Sequence, residues 1–257
     1  MDFSLFTTLT PTTLALALGI AFFAGLVKGV VGFAVPLILV SGLSSFLDPK
    51  LAIAGLIVPV LVTNLLQVLR TGWQDARAAV AEHWRYILMV CLAIAIVAQG
   101  AARIPTQMFY VVLGVPVVIL SLIQLFGVHL TIPVHRRRAA EWIVGGISGV
   151  LGGLVGTWGV TTVLYLLAIE TPKAKQMIVQ GVIYGTGSVA LVLAHLQSGL
   201  FNAQTAPFSA ALLPLAVVGL WCGFAVQDRM DQARFRQVTL VILLLAGLNL
   251  LRKGLLG

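Results

Sequence analysis

Residues 25–36 read GLVKGVVGFAVP and break an apolar helical pattern with three glycines and a proline. Residues 152–160 read GGLVGTWGV and break a second apolar pattern in a similar way. Glycine is conformationally free and proline removes a backbone donor, so both residue types interrupt helices. The two stretches therefore predict two broken helices around which the other segments pack.

The composition indicates that lipid is the solvent of this chain. Of its 257 residues, 60% are hydrophobic and 9% are charged, and the mean hydropathy is +1.06. A soluble domain is about 45–50% apolar and about 25% charged, and a core of this size cannot hide so much additional apolar surface. The composition excludes a soluble enzyme, a secreted module and a disordered tail. It predicts an all-α polytopic membrane protein.

Ten apolar runs, separated by short polar breaks, give the plan of the predicted helices. About 20 helical residues are needed to cross a bilayer, and the second, sixth and seventh runs are too short. We expect each short run to belong to a hairpin or broken helix, because irregular backbone at membrane depth needs protein or water to receive it. In chain order the runs cover residues 12–31, 33–47, 51–69, 86–102, 107–126, 142–156, 158–169, 177–196, 207–226 and 238–251.

Basic residues cluster between the runs and predict the orientation of the chain. Short cytoplasmic loops collect Lys and Arg, so we attribute the net charge of +8 to this rule and not to a nucleic-acid partner. The plan puts both chain ends outside, where Arg252 and Lys253 oppose the rule. The clusters expected on the cytoplasmic side are Arg70, Arg77 and Arg85; Arg136, Arg137 and Arg138; and Arg229, Arg234 and Arg236.

The two halves of the chain resemble each other. Residues 29–36 align with residues 153–160, and Asp48-Pro49-Lys50 aligns with Thr171-Pro172-Lys173. Each half has five predicted membrane segments, and an odd number inverts the second half relative to the first. Many secondary transporters consist of such inverted-topology repeats, with interrupted helices meeting near the midplane. The predicted division is a first transmembrane repeat at residues 1–127, a basic cytoplasmic linker at 128–141 and a second transmembrane repeat at 142–257.

The glycine-rich stretches make the chain resemble the sulfite exporter TauE/SafE family of membrane anion permeases. The resemblance rests on residues 25–33 with Pro36 in the first half, on residues 145–156 in the second, and on the two proline steps just aligned. It covers essentially the whole chain. Where the family commonly continues with further glycines after the first break, this chain has Ala34-Val35.

The resemblance implies a secondary transporter of the bacterial cell (inner) membrane that exports a small sulfur-containing anion by alternating access. The implied substrates are sulfite, sulfoacetate, another organosulfonate or thiosulfate. A passive anion channel is an alternative, distinguished by turnover that neither saturates nor shows counterflow. We expect no cofactor and no metal site, and we leave a homodimer open.

An intramembrane serine protease is a further alternative, from a different class of protein. Residues 146–149 form a G-x-S-G string around Ser148, and His195 lies on a later run. A serine nucleophile needs a base within hydrogen-bond reach, and the expected topology puts these two side chains at opposite membrane faces. We therefore expect a transporter and not an enzyme.

Lys28 is the sharpest candidate for anion binding. It lies about four turns into an apolar helix, directly before the first glycine break. A cation at that depth costs roughly 2.5–3.5 kcal/mol on insertion scales, so it usually faces a cavity or a partner. The alternative is a lysine that snorkels to the membrane interface, and we favour the functional interpretation.

The breaks and two neighbouring runs supply further candidate donors. Backbone N–H groups at the start of each half-helix form a positive dipole end that suits an anion. Amide side chains at membrane depth bind an anion or bridge helices, and threonine hydroxyls donate to a ligand or bond back to their own helix. With Lys28, the predicted substrate-binding residues are Gly32, Phe33, Asn64, Gln67, Gly156, Thr157, Trp158, Thr161, Gln180 and Tyr184.

The positions of the carboxylates bear on how export is driven. All eight map to loops or run ends, whereas proton-driven carriers usually hold Asp, Glu or His inside the membrane. An anion that leaves a cell with a negative interior gains about 2.3 kcal/mol per charge per 100 mV. We therefore expect export driven by the membrane potential without a proton-carrying carboxylate, and sodium coupling through backbone carbonyls at the breaks stays open.

Overall fold

The computed structural model describes residues 9–98, 106–128, 131–155 and 158–256. All regular secondary structure in these ranges is helical, which confirms the predicted all-α class. A 3₁₀ turn at Val134–Arg136 precedes the sixth α-helix. The α-helices are α1 (Pro11–Val31), α2 (Val35–Leu43), α3 (Pro49–Thr71), α4 (Trp73–Ala98), α5 (Thr106–Leu125), α6 (Arg137–Val155), α7 (Gly159–Ala168), α8 (Lys173–Gln197), α9 (Ala206–Asp228) and α10 (Gln232–Leu256).

Six of the described helices are long and apolar enough to cross a membrane, namely α1, α3, α4, α8, α9 and α10. At 1.5 Å per residue, the 21 residues of α1 extend about 30 Å, which is the thickness of a bilayer core. The apolar part of α5, at Tyr110–Leu125, and the whole of α7 are shorter. The chain is a multi-pass membrane protein, as its composition predicts.

The ten predicted runs and the described helices agree in order, with one large difference in α4. The fourth run was expected to begin at residue 86, but α4 begins at Trp73. The first turns of α4 contain polar residues, so a search for apolar runs does not detect this part of the helix. The helix also has a kink at His83, where φ is −108° and ψ is 20°.

The first predicted break lies between α1 and α2. Gly32 ends α1 with a φ of 86°, and its N–H donates to the Lys28 carbonyl at 2.6 Å. Ala34 also has a left-handed φ, 84°, a conformation that favours glycine. The C-terminal part of α2 lies against the middle of α1, since a Cβ on Gly42 would be 2.8 Å from the Ile20 side chain. Helix α2 therefore returns along α1, and the predicted hairpin is confirmed.

The second break separates α6 from α7, and residues 156 and 157 within it lie outside the described part of the chain. Arg137, at the start of α6, donates to the carbonyl of Ile169, just past the end of α7, at 3.1 Å. The backbone N–H of Ile132 donates to the Ala168 carbonyl at 2.7 Å. A cation and a backbone donor thus cap the C-terminal carbonyls of α7, and α7 returns to the end at which α6 begins.

The chain divides into two compact units, each built from separate parts of the sequence. The first unit consists of the residues through Arg70 together with Ser188–Arg229, and it contains α1, α2, α3, the C-terminal part of α8, and α9. The second unit consists of Thr71–Gly187 and Met230–Gly257, with α4 to α7, the N-terminal part of α8, and α10. The predicted repeat at residues 1–127 and 142–257, with its linker and its inverted topology, stays a prediction.

Glycines set the distance between α1 and α9 in the first unit. Gly25 and Gly29 on α1 face the backbone of α9, and Gly219 and Gly223 on α9 face the backbone of α1. A Cβ on Gly29 would be 2.7 Å from the Cα of Gly223, closer than carbon atoms can approach. Small residues let helix backbones meet in a membrane, where van der Waals packing replaces the hydrophobic effect as the driving force. The contact holds α1, and the break at its end, against α9.

In the second unit α4 packs against α6, and α5 packs against α10. The contact of α4 with α6 also depends on glycine. A Cβ on Gly145 would be 3.0 Å from the Tyr86 carbonyl oxygen, and one on Gly149 would be 2.7 Å from the Val90 carbonyl oxygen. This close approach brings the polar side chains of the two helices together.

We expect Gly29→Ala to lower the free energy of unfolding by about 1–3 kcal/mol, because the added methyl group overlaps backbone that can move only if the helices separate. Gly19→Ala on the same helix is the matched control, since a Cβ there has nothing within 4 Å. Thermal unfolding in detergent, followed by tryptophan fluorescence, measures both variants. Equal unfolding temperatures for the two variants would contradict the close helix contact.

Candidate functional site

Lys28 lies inside the protein at the end of α1. Its residue is 2% exposed, and Nζ donates to Asn64 Oδ1 at 2.5 Å and to the Gly32 carbonyl at 3.5 Å. Both acceptors are neutral oxygen atoms, so an amide and a backbone carbonyl hold this cation at the first helix break. The burial of Lys28 disfavours the interpretation of a lysine that snorkels to the surface.

Backbone groups surround the break next to Lys28. Phe33 is buried, and the N-terminal cap of α2 is Ala34, which makes no side-chain capping hydrogen bond. The first-turn N–H groups of a helix have no partner within the helix, and Pro36 has no N–H. The N-terminus of α2 therefore presents uncapped donors and a positive dipole end beside the Gly32 carbonyl.

The predicted amides of α3 share one face of that helix. Asn64 and Gln67 are both buried and lie three residues apart, so their side chains point the same way. One further turn along, Arg70 donates to Gln227 Oε1 at 3.3 Å and pairs with Asp228. Arg70 thus connects the ends of α3 and α9, which supports its interpretation as a span-end residue.

Trp158 lies at the second break, whereas the predicted residues Gly156 and Thr157 fall outside the described part of the chain. Its indole is buried against two glycines: a Cβ on Gly187 would be 2.8 Å from the ring carbons, and one on Gly152 would be 3.1 Å from Cε3. The indole Nε1 is buried and has no hydrogen-bond partner among the described residues. A donor of this kind is available to a ligand.

Gln180 and Tyr184 lie on α8, as predicted. Gln180 is fully buried, and neither its amide nitrogen nor its amide oxygen has a hydrogen-bond partner among the described residues. Tyr184 differs from Gln180 because it has a described partner: its hydroxyl donates to the Gly159 carbonyl at 2.9 Å. Gln176 was missed, although it is fully buried with an amide that likewise lacks described partners. Its spacing of four residues before Gln180 was the signal that could have found it.

A buried cluster of hydroxyl groups joins α4, α6 and α7. The Tyr86 hydroxyl bonds Ser148 at 2.6 Å and donates to Thr162 at 3.0 Å, and Ser148 bonds the predicted Thr161 at 2.5 Å. Thr161 and Thr162 also donate back to the Trp158 carbonyl. Such a bond within the threonine's own helix is the alternative to ligand binding that the sequence left open. Ser148 is therefore part of a hydroxyl cluster, which explains the G-x-S-G string without a nucleophile.

Charged side chains on α4 and α6 form a cluster that the sequence interpretation missed. Glu141 is 5% exposed and His83 is 2% exposed. Nδ1 of His83 is 3.3 Å from Oε1 of Glu141, and Nη1 of Arg85 is 3.2 Å from Oε2. Glu141 lies near the start of α6, as expected for a carboxylate at a run end, but it is nevertheless buried inside the protein. A polar stretch before an apolar run gave no sign that other helices cover it.

The comparison with protein families supports a transport function. The model of the family described as Sulfite exporter TauE/SafE matches residues 17–250. That range contains both helix breaks and every predicted substrate-binding residue. No curated protein and no solved structure matches this chain.

We expect Gly187→Ala to displace the Trp158 indole, because the new methyl group would overlap the ring unless the indole or α8 shifts. Gly185→Ala on the same helix is the matched control, since a Cβ there has nothing within 4 Å. The loss of stability for Gly187→Ala is about 1–3 kcal/mol, measured by thermal unfolding in detergent. An unfolding temperature as high as that of the control would refute the packing of Trp158 on α8.

Proposed function

The chain belongs to the sulfite exporter TauE/SafE family, and on that premise we propose that it is a secondary transporter that exports a small sulfur-containing anion by alternating access. The proposed substrates are sulfite, sulfoacetate or another organosulfonate, and the proposed location is the bacterial inner membrane. Proteins of this family are membrane transporters and not enzymes. The resemblance inferred from the glycine-rich stretches is confirmed by this match, whereas the substrate and the cycle belong to the proposal.

The observation that carries the proposal is the buried ammonium of Lys28 at the first helix break. A buried cation is costly, and inside a membrane protein it marks a functional site by default. Hydrogen bonds from an ammonium to an oxyanion are roughly twice as strong as neutral ones. We propose that Lys28, the backbone at Gly32 and Phe33, and the amides of Asn64 and Gln67 bind the anion.

The second unit offers donors of a different kind. Buried polar groups without partners cost about 1–3 kcal/mol each, and the Trp158 indole and the amides of Gln176 and Gln180 are such groups among the described residues. The three oxygen atoms of a sulfite or sulfonate group accept several hydrogen bonds at once. We propose these side chains, with Thr161 and Tyr184 at their edge, as further substrate-binding residues, and we retain Gly156 and Thr157 as predictions.

Alternating access is supported by the two broken helices. Discontinuous helices are typical of secondary transporters, in which half-helix N-termini point at anionic substrate groups. Helix α2 begins directly after the first break and α7 directly after the second. Each begins without a side-chain cap, so each N-terminus keeps the donors that such a role requires.

The transport proposal is tested by counterflow in proteoliposomes that contain the purified chain. We expect labelled sulfite or sulfoacetate to exchange with unlabelled substrate inside, with saturation, whereas chloride does not compete. Flux that neither saturates nor shows counterflow would identify a passive anion channel. Absence of flux for sulfite, sulfoacetate, taurine, thiosulfate and sulfate would refute the proposed substrate class.

We expect Lys28→Ala to raise the substrate Kd about 10- to 100-fold, because a buried charge-assisted hydrogen bond contributes about 1.5–3 kcal/mol. Lys28→Met repeats the test with a side chain of similar length. Lys50→Ala is the matched control, since Lys50 is exposed at the start of α3. Isothermal titration in detergent measures all three variants, and an unchanged Kd in both Lys28 variants would remove this residue from the site.

We expect Gln180→Met to stabilise the protein by about 1–2 kcal/mol while weakening substrate binding, since methionine removes buried polar groups that lack described partners. Gln124→Met makes the same change at a glutamine that accepts from Arg236 at 2.8 Å, and it should destabilise the protein. Unfolding temperature and substrate Kd are the two measurements. A loss of stability in Gln180→Met would mean that its amide serves the fold instead of a ligand.

A further inference from the structure

Five side chains of the second unit form a continuous chain of charged or titratable groups, here called the charge chain. Nη1 of Arg85 is 3.2 Å from Glu141 Oε2, and Glu141 Oε1 is 3.3 Å from His83 Nδ1. On its other side, His83 Nε2 is 3.9 Å from Glu82 Oε1, and Glu82 Oε2 is 2.5 Å from Lys175 Nζ. Each carboxylate therefore lies between a permanent cation and the same imidazole ring.

The charge chain extends from the surface of the protein to its interior. The side chains of Glu82 and Lys175 are 45% and 44% exposed, whereas those of Glu141 and His83 are 7% and 3% exposed. His83 lies at the kink of α4, and neither of its buried nitrogens makes an aligned hydrogen bond with a described residue. An imidazole between an accessible carboxylate and an enclosed one is suited to pass a proton from one to the other.

Groups on every helix packed around the pair define its electrostatic surroundings. The Tyr165 ring on α7 is perpendicular to the His83 ring, with 6.3 Å between centroids, and it stacks on Tyr86 at 5.1 Å. One added proton changes the charge of this buried cluster by a full unit, in a place where electrostatic interactions are strong. The titratable and charged groups that face the pair are Glu82, Arg85 and Tyr86 on α4, Arg137 on α6, Tyr165 on α7 and Lys175 on α8.

A cluster of hydroxyl groups lies near the charge chain, with the stacked Tyr165 and Tyr86 rings between them, and reaches the second helix break. Tyr86, three residues after His83 on α4, begins the hydroxyl cluster. The cluster passes through Ser148 to Thr161, whose hydroxyl donates to the Trp158 carbonyl at 3.1 Å. Buried polar groups thus extend from near the enclosed end of the charge chain to the N-terminus of α7, where the proposed function puts substrate donors.

We infer that His83 and Glu141 bind and release one proton in each transport cycle, so that anion transport by this chain is coupled to protons. The inference rests on the proposed transport function and adds the proton as a second transported ion. It differs from the expectation of export driven by the potential alone, because Glu141 is buried beside His83 although it lies near a helix end.

The proton transfer balances without any other reactant. A proton from water binds the exposed Glu82 carboxylate. After the His83 ring turns so that its nitrogens align with their neighbours, this proton moves to Nε2 and the proton on Nδ1 moves to the Glu141 carboxylate. The imidazole is neutral before and after the transfer, with its proton on the other nitrogen. The proton is released along the same path in reverse, or it leaves from Glu141 after the protein changes conformation.

Protonation of Glu141 has a direct structural consequence. The ionised carboxylate pairs with Arg85, and this pair connects the start of α6 to α4. A neutral carboxyl group loses most of its attraction for the guanidinium, so protonation loosens the connection. Helix α6 leads into the second break, and the proton therefore shifts the balance between two positions of that helix hairpin, as coupling requires.

The test uses the wild-type protein in proteoliposomes with a pH-sensitive dye inside and the voltage clamped by potassium and valinomycin. Sulfoacetate at pH 7.5 is the probe, because it is fully ionised there and cannot carry the proton itself. We expect an inward sulfoacetate gradient to change the internal pH, and a gradient of one pH unit to drive accumulation up to about tenfold at one proton per anion. Liposomes without protein give the background.

Variants of His83 and Glu141 then test whether these two residues bind the proton. We expect His83→Gln and Glu141→Gln each to abolish accumulation driven by the pH gradient, so that substrate equilibrates at about equal concentrations inside and outside, with a much smaller effect on sulfoacetate counterflow. Asp231→Asn is the matched control, because Asp231 is an exposed carboxylate whose ion pair with Arg234 is local. If the His83 and Glu141 variants accumulate as much substrate as this control, the proton binds elsewhere and the assignment is overturned.

Two wild-type results separate this inference from the proposed function. Counterflow of sulfoacetate or sulfite without any internal pH change would overturn proton coupling and leave the transporter intact. Absence of counterflow for both anions would refute the proposed function itself. The wild-type measurement does not depend on the folding of any variant.

Discussion

A polar group enclosed by apolar surroundings must find its partners inside the protein, and this constraint governs both helix breaks. Ending a helix in an apolar run leaves carbonyls and N–H groups that lipid cannot satisfy. At the first break, Gly32 bonds back to Lys28, and the Lys28 ammonium donates to the Gly32 carbonyl. At the second, the Thr161 and Thr162 hydroxyls donate to the Trp158 carbonyl. At the first break, the groups that stabilise the interrupted helix also place a buried lysine and backbone donors where we propose that an anion binds.

Close helix contacts make these arrangements possible. Glycine allows α1 to meet α9 in the first unit and α6 to meet α4 in the second at backbone distance. Around the α4 and α6 contact, Tyr86, Ser148 and Thr161 satisfy one another, whereas Gln176, Gln180 and the Trp158 indole keep polar atoms without described partners. The contrast separates groups that stabilise the fold from the groups that we propose as substrate donors. Membership of the sulfite exporter family supports a membrane transporter, and the substrate class belongs to the proposal.

Charge is distributed differently in the two units. In the first, a single buried cation at the break is held by neutral oxygen atoms. In the second, Glu141 and His83 are enclosed, and the partly exposed Arg85 pairs with Glu141, so the cluster has both signs of charge where we infer proton exchange. The proposed anion site and the inferred proton site thus differ in their chemistry, since the first centres on a lysine among neutral oxygen atoms and the second on a histidine beside carboxylates.

Composition and local spacing were sufficient to predict the lipid solvent, the all-α class, the two breaks and the burial of Lys28, Trp158 and Gln180. These properties depend on neighbouring residues and on total apolar surface, so the sequence by itself determined them. The sequence could not show that His83 and Glu141 meet inside the protein or that α4 extends back to Trp73. Lys28 and Asn64 are 36 positions apart, and Tyr86 and Ser148 are 62 apart. Only the tertiary structure decided which polar groups pair, because the partner of a buried side chain comes from whichever helix packs against it.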